Sequence, residues 1–136
     1  MDETRGMSLD EMMFFEGKRA AFSLYEALRS AVLTQIGAQR IEARKTQISF
    51  KNDHLFAAVS FLPVRRAAER PPVFITLTFG LGYRLDSPRV DAAVEARPGR
   101  WTHHVLIGDA AQIDAELLGW IAESARDVTA RVSRSR

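Results

Sequence analysis

Cysteine is absent from this 136-residue chain, which removes disulfide staples, thiolate nucleophiles and thiolate-ligated zinc together. No low-complexity tract and no internal repeat interrupts it. No apolar run approaches the ~20 residues that a membrane-spanning helix needs. The acidic start Met1-Asp2-Glu3-Thr4 lacks the basic-then-apolar layout of a secretory leader, so a cytoplasmic protein without membrane contact is expected. Charge of one sign is also scarce. Nineteen Lys and Arg against seventeen Asp and Glu give a net charge of +2, a weak pointer to nucleic acid despite a pI of about 9.4. Lysine itself is rare, occurring only at Lys18, Lys45 and Lys51. The remaining bases are arginine, a usage that fits GC-rich coding better than selection for phosphate binding.

What the chain does contain is an ordered series of periodicities, in a length that suits one domain burying about two-thirds of its unfolded surface. That domain is expected over residues 8–133, after a disordered start at 1–7 and before a frayed tail at 134–136. Ser8 opens a helix as N-cap with Glu11 at the third position, a capping box, and Met7 and Met12 add a hydrophobic staple. The short helix carries Met12, Met13, Phe14 and Phe15 and ends near Gly17. From Lys18 to about Ile36, Ala21, Leu24, Tyr25, Leu28, Val32 and Ile36 recur at three- and four-residue steps. This predicts an amphipathic helix with Glu26 and Arg29 on its solvated side. Gly37 ends it.

The period then changes to two. Residues 41–51 read as one strand, with Thr46, Ile48 and Phe50 on one face and Lys45, Gln47 and Ser49 on the other. Asn52-Asp53 supplies a hairpin turn, and the strand over 54–62 returns with Leu55, Ala57, Val59 and Phe61 facing one way. Residues 63–72 form a loop bearing Arg65, Arg66 and Arg70, and a third strand spans 73–81. Residues 88–97 fit two readings: a helical turn opened by Ser87-Pro88, or a strand pairing with 100–107 across Pro98-Gly99. A strand over 101–108 follows. Asp109 with Gln112 opens a last helix that buries Ile113, Leu117, Trp120, Ile121, Ala125 and Val128. Helices before and after one antiparallel sheet predict an α+β fold, a two-layer sandwich of four to five strands with both helices on one face.

His103 and His104 lie in tandem within the strand Arg100–Ile107, so alternation sends them to opposite faces and they cannot share one metal ion or one proton. One of them joins a polar sheet face formed by Lys45, Gln47, Ser49, Thr76 and Thr78. A lysine among hydroxyls and an imidazole suits an anionic small molecule, through charge-assisted hydrogen bonds of ~1.5–3 kcal/mol each. Two other readings fit the same face: an interface with a second copy of the chain, burying Phe56 and Phe74, or an ordinary solvated surface. Arg65, Arg66, Arg70, Arg97 and Arg100 form an alternative nucleic-acid patch, although interleaved exposed aromatics are missing.

Catalysis has less to work with. Ser49 lacks the glycine frame of a nucleophile elbow, and no carboxylate pair sits on a strand to act as acid and base. Gly80-Leu81-Gly82 lacks the third glycine of a dinucleotide loop. A small enzyme would need His103 or His104 within hydrogen-bond reach of Ser49 or Lys45. His54 and Asp53 match no metal-site spacing. No cofactor and no metal are expected, and the reading leans away from enzymatic activity.

The chain resembles domain-of-unknown-function family 5655, a small bacterial family. The likeness is carried in order by Phe14-Phe15-Glu16-Gly17-Lys18, Leu24-Tyr25-Glu26-Ala27-Leu28 and Lys45-Thr46-Gln47-Ile48-Ser49-Phe50. It continues through Leu85-Asp86-Ser87-Pro88-Arg89, Gly99-Arg100-Trp101-Thr102-His103-His104-Val105 and Leu117-Leu118-Gly119-Trp120. The resemblance spans nearly the whole chain. It implies a compact α+β domain with no assigned reaction. Some relatives carry the label "predicted transport protein", and related domains stand beside nuclease-like modules.

Overall fold

A computed structural model describes residues 6–135, with side-chain surroundings through Asp127. The expected disorder at the start falls mostly outside the described residues, as do the side chains of the tail and of Val128. The first helix, α1 (Leu9–Phe14), is held by both halves of the capping box: Glu11 N–H donates to Ser8 Oγ at 3.1 Å, and Ser8 N–H donates to Glu11 Oε1 at 2.9 Å. Gly17, at φ +78°, turns the chain into α2 (Arg19–Gln35). This second helix buries Ala21, Leu24, Tyr25, Leu28 and Val32 as its periodicity predicts.

Arg29 corrects the reading of that helix. It is buried, not solvated, and its Nε donates to Glu11 Oε2 at 2.7 Å. The Tyr25 hydroxyl donates to the same oxygen. Helical spacing cannot register this, because the partner carboxylate comes from α1 rather than from α2. Burial alone would raise the Glu11 carboxyl, but hydrogen bonds from Arg29, Tyr25 and the Ser8 amide hold it below the ordinary carboxylate range. Burial and the Glu11 carboxylate push the Tyr25 phenol up.

Among the described residues the sheet has six antiparallel strands: β1 (Arg40–Ala43), β2 (Ile48–Lys51), β3 (Leu55–Ser60), β4 (Ile75–Leu81), β5 (Ala92–Arg97) and β6 (Arg100–Ile107). Their order is β1-β2-β3-β4-β6-β5. The count exceeds four to five because residues 41–51 are two strands around a tight turn, closed by Arg44 N–H donating to Gln47 O at 2.8 Å. Arg44-Lys45-Thr46-Gln47 contains no glycine or proline, so the alternation runs through the turn without a visible break. Residues 92–97 take the strand reading, folding onto β6 with Gly99 at φ +74°. The Asp109/Gln112 box caps a single 3-10 turn rather than the last helix. The helix α3 (Ala115–Ser135) starts after it, with Asp114 Oδ1 accepting from Leu117 N–H at 3.1 Å.

Register assigns the faces. Ile41, Phe50, Ala57, Phe79, His103 and Ala93 form one row across all six strands. Tyr25 of α2 stacks on Phe50 and Trp120 of α3 stacks on Phe79, so both long helices cover this face. Glu42, Ser49, Ala58, Thr78, His104 and Ala92 form the neighbouring row, which alternation turns to the opposite face. Phe56 departs from the alternation. It is the extra residue where the β2–β3 register slips, and it joins the hydrophobic core instead of the polar face. Next to it, Ser124 of α3 donates to Phe56 O at 2.7 Å and accepts from Gly80 N–H at 3.2 Å. The helix thereby satisfies two backbone groups where β3 and β4 part. At the outer strands, Glu42 of β1 gathers Lys51, Arg44 and Arg40, while β5 carries a second register shift between Glu95 and Arg97.

Candidate ligand cleft

The polar row leads into a cleft of about 580 Å³ at the end of the sheet where β3 stops and the β1–β2 turn begins. Its floor is Thr78 and His104, neighbours across β4 and β6, whose Thr78 Oγ1 and His104 Nδ1 lie 2.9 Å apart. When the Thr78 hydroxyl donates, the neutral imidazole carries its proton on Nε2 and is left a donor. Burial holds the His104 ring below the ordinary histidine range. One wall is the β1–β2 turn, Lys45, Thr46 and Gln47. The other is Ser60, Phe61 and Leu62 at the end of β3, joined by Phe14 of α1 and Lys18 just before α2. Phe14 and Phe61 stack at 5.4 Å, and Lys18 Nζ lies 5.3 Å from the Phe61 ring centroid.

Of the residues the sequence singles out, Lys45, Gln47, Thr78 and His104 meet at this cleft. Ser49 and Thr76 lie on the same side but are buried, and their hydroxyls are engaged. Ser49 Oγ accepts from Gln47 Nε2 at 3.0 Å, and Thr76 Oγ1 donates to Leu62 O at 2.7 Å, so both brace cleft residues from below. His103 stands apart on the helix-covered face, stacked on Phe79 at 5.1 Å, with Nε2 accepting from Leu85 N–H at 2.9 Å. Burial pulls this imidazole below the ordinary range, against the opposing pull of the Phe79 and Trp101 carbonyls. Neither histidine makes a hydrogen bond to Ser49 or Lys45, the geometry an enzyme reading needs.

Sequence reasoning misses Phe14, Lys18, Ser60, Phe61 and Leu62. Helix and strand periodicity rank residues within one element, whereas these are brought together by how α1 seats against the end of β3. Phe14-Phe15 next to Lys18 was the available signal, two adjacent aromatics followed by one of three lysines.

Charge separates this cleft from its surroundings. Two of the three lysines line it, and among the described residues no carboxylate does. Among the described residues neither lysine forms an ion pair, whereas Lys51 is held by Glu42 at 2.9 Å. The arginines of the alternative patch are arranged otherwise. Arg65 pairs with Asp91 and Arg66 with Glu69. Arg65 and Arg70 sit beside Leu106 and Gly108, at one end of β6. Arg97 and Arg100 pair at the other end, roughly 24 Å away by strand rise, and the Arg100 guanidinium packs over Gly80. Arg65 and Arg70 are thus separated from Arg97 and Arg100 by the length of β6. Among the described residues no three His, Asp or Glu side chains converge as a metal site would require, and no helix is long and apolar enough to cross a membrane.

No curated protein and no solved structure matches the chain significantly. Residues 12–126 match the family described as "Domain of unknown function (DUF5655)", a span that runs from α1 into α3 and contains every cleft residue named above. The chain belongs to that family.

Proposed function

We propose that this domain is a non-catalytic binding module whose polar sheet face receives an anionic small molecule in the cleft over Thr78 and His104. The observation that carries the reading is the pair of lysines, Lys18 and Lys45, which line the cleft with no carboxylate among the described residues beside them. An unneutralised pair of cations in a concave site raises the local concentration of anions and strengthens each hydrogen bond made to them. Gln47 adds one neutral donor and the Thr78–His104 pair one more, since their mutual hydrogen bond uses one of their two protons, and bracing by Ser49 and Thr76 fixes the walls before any ligand arrives. A cytoplasmic setting fits this role. The arginine reading has less support, because Arg65 and Arg66 already hold carboxylates. A second copy of the chain on this face has less support too, since Phe56 belongs to the core and offers it no anchor.

Thermal-shift and calorimetric titrations with sulfate, inorganic phosphate and benzoate test the reading. At least one anion is expected to stabilise the protein at millimolar concentration. Lys45→Ala is expected to abolish that stabilisation while leaving the ligand-free melting temperature within about 1–2 °C, as befits an exposed turn residue. No stabilisation by any anion, or an unchanged response in Lys45→Ala, rejects it.

A further inference from the structure

We infer that the ligand is a phosphate monoester of an aromatic or otherwise flat apolar group; this rests on the cleft reading above and names its chemical class. The cleft is divided chemically. Lys45, Gln47 and the hydrogen-bonded Thr78–His104 pair present donors on one side, while Phe14, Phe61 and Leu62 present apolar surface on the other. Lys18 stands at the seam, its Nζ 5.3 Å from the Phe61 centroid.

Charge and geometry both select the headgroup. A phosphate monoester carries about two negative charges near pH 7 and three exposed acceptor oxygens. Two lysines with no carboxylate partner among the described residues match that charge, and the Gln47 amide together with the one proton that the Thr78–His104 pair keeps for a ligand serves those oxygens. A carboxylate has one charge and two oxygens, and leaves part of this donor set unused. The Ser60 hydroxyl adds a donor at the rim, since it accepts from Leu62 N–H at 3.2 Å and keeps its own proton free.

The apolar half selects the rest of the molecule. Inorganic phosphate fills only the polar side. Phe14 and Phe61, stacked at an interplanar angle of 10°, both line the cleft and offer aromatic surface to a ring attached to the phosphate.

Phenyl phosphate, inorganic phosphate and benzoate separate the parts in one calorimetric and amide-shift titration at pH 7.5. Phenyl phosphate is expected to bind at least about tenfold more tightly than either fragment, because only it uses both halves of the cleft. The shifts are expected at Lys18, Gln47, Thr78 and His104. Phe14→Leu should bring phenyl phosphate towards the affinity of inorganic phosphate, and Lys18→Gln should weaken phenyl phosphate more than benzoate. If benzoate or inorganic phosphate binds in the cleft as tightly as phenyl phosphate, the ligand class is overturned while the anion cleft stands. If phenyl phosphate shifts residues elsewhere, the class is likewise overturned. If none of the three perturbs cleft residues, both readings fall. The comparison of probes on the unmodified protein decides the matter even where a variant folds poorly.

Discussion

His103 and His104 are consecutive residues of β6, yet one is fully buried against Phe79 under the helices and the other floors the cleft beside Thr78. The two faces of the sheet use the same side chain in different ways. On the helix side most of the buried polar groups are tied to specific partners: His103 Nε2 to the Leu85 amide, Ser124 to Phe56 and Gly80, Glu11 to Arg29, Tyr25 and Ser8, with His103 Nδ1 left without a hydrogen bond among the described residues. At the cleft on the open side the hydrogen bonds hold the walls, and Lys18 and Lys45 make no ion pair among the described residues. A buried polar group without a partner costs more than the net worth of the bond it would make, so these bonds fix the helix side. The other face tolerates unsatisfied donors because water reaches them.

The largest expected effect falls on the helix side. Glu11→Ala strands the Arg29 guanidinium and the Tyr25 hydroxyl, and should cost about 3–5 kcal/mol in denaturant unfolding. A loss below about 1 kcal/mol would mean that α1 is not locked to α2 as described. His103→Ala comes next. It removes the ring stacked on Phe79 and the acceptor of the Leu85 amide, for about 2–4 kcal/mol. The same change at His104 should cost about 1 kcal/mol or less, since cleft water replaces its bond to Thr78. Equal losses from the two substitutions would erase the distinction between the faces.

The smallest effect is a pH dependence common to both. Each imidazole is held below its ordinary pKa of 6.5 in the folded protein. The unfolded chain therefore binds more protons in that window, and stability present above about pH 6.5 is lost as the pH falls through the folded values. Glu11 contributes in the same direction only below its ordinary value of 4.5, so the two windows separate. Unfolding free energy should decline from pH 7.5 to pH 5, and replacing both histidines by Gln should flatten the curve. A wild-type curve already flat over that range would contradict the burial of both rings.

Much of this arrangement was legible in the chain. Alternation along 75–81 and 101–107 gives the two faces directly, because strand period is fixed by geometry. Which histidine is buried stays open in the sequence, because His103 shares parity with Val105 and Ile107 while His104 shares it with the equally apolar Leu106. The break at Arg44–Gln47 was not legible, since a turn without glycine or proline imitates a continuing strand. Arg29 was misread for a related reason: its surroundings are decided by α1, and period 3.6 reports only one helix at a time. The cleft was half legible. Thr78 follows from strand parity; Lys45 and Gln47 group with it in the sequence although they lie in the β1–β2 turn, and the choice between His103 and His104 stays open there, while Phe14 and Lys18 arrive through tertiary packing, which leaves no periodic trace.

The outermost strands have a consequence for the behaviour of the whole molecule. A chain approaching β1 meets only four residues, crowded by one glutamate and three cations, and one approaching β5 meets a kinked ladder that ends in Arg97. Neither rim offers a straight template for a further strand. Ribbon-like stacking through backbone pairing is discouraged at both margins, so concentrated solutions should stay dispersed without help from disulfides or a large net charge.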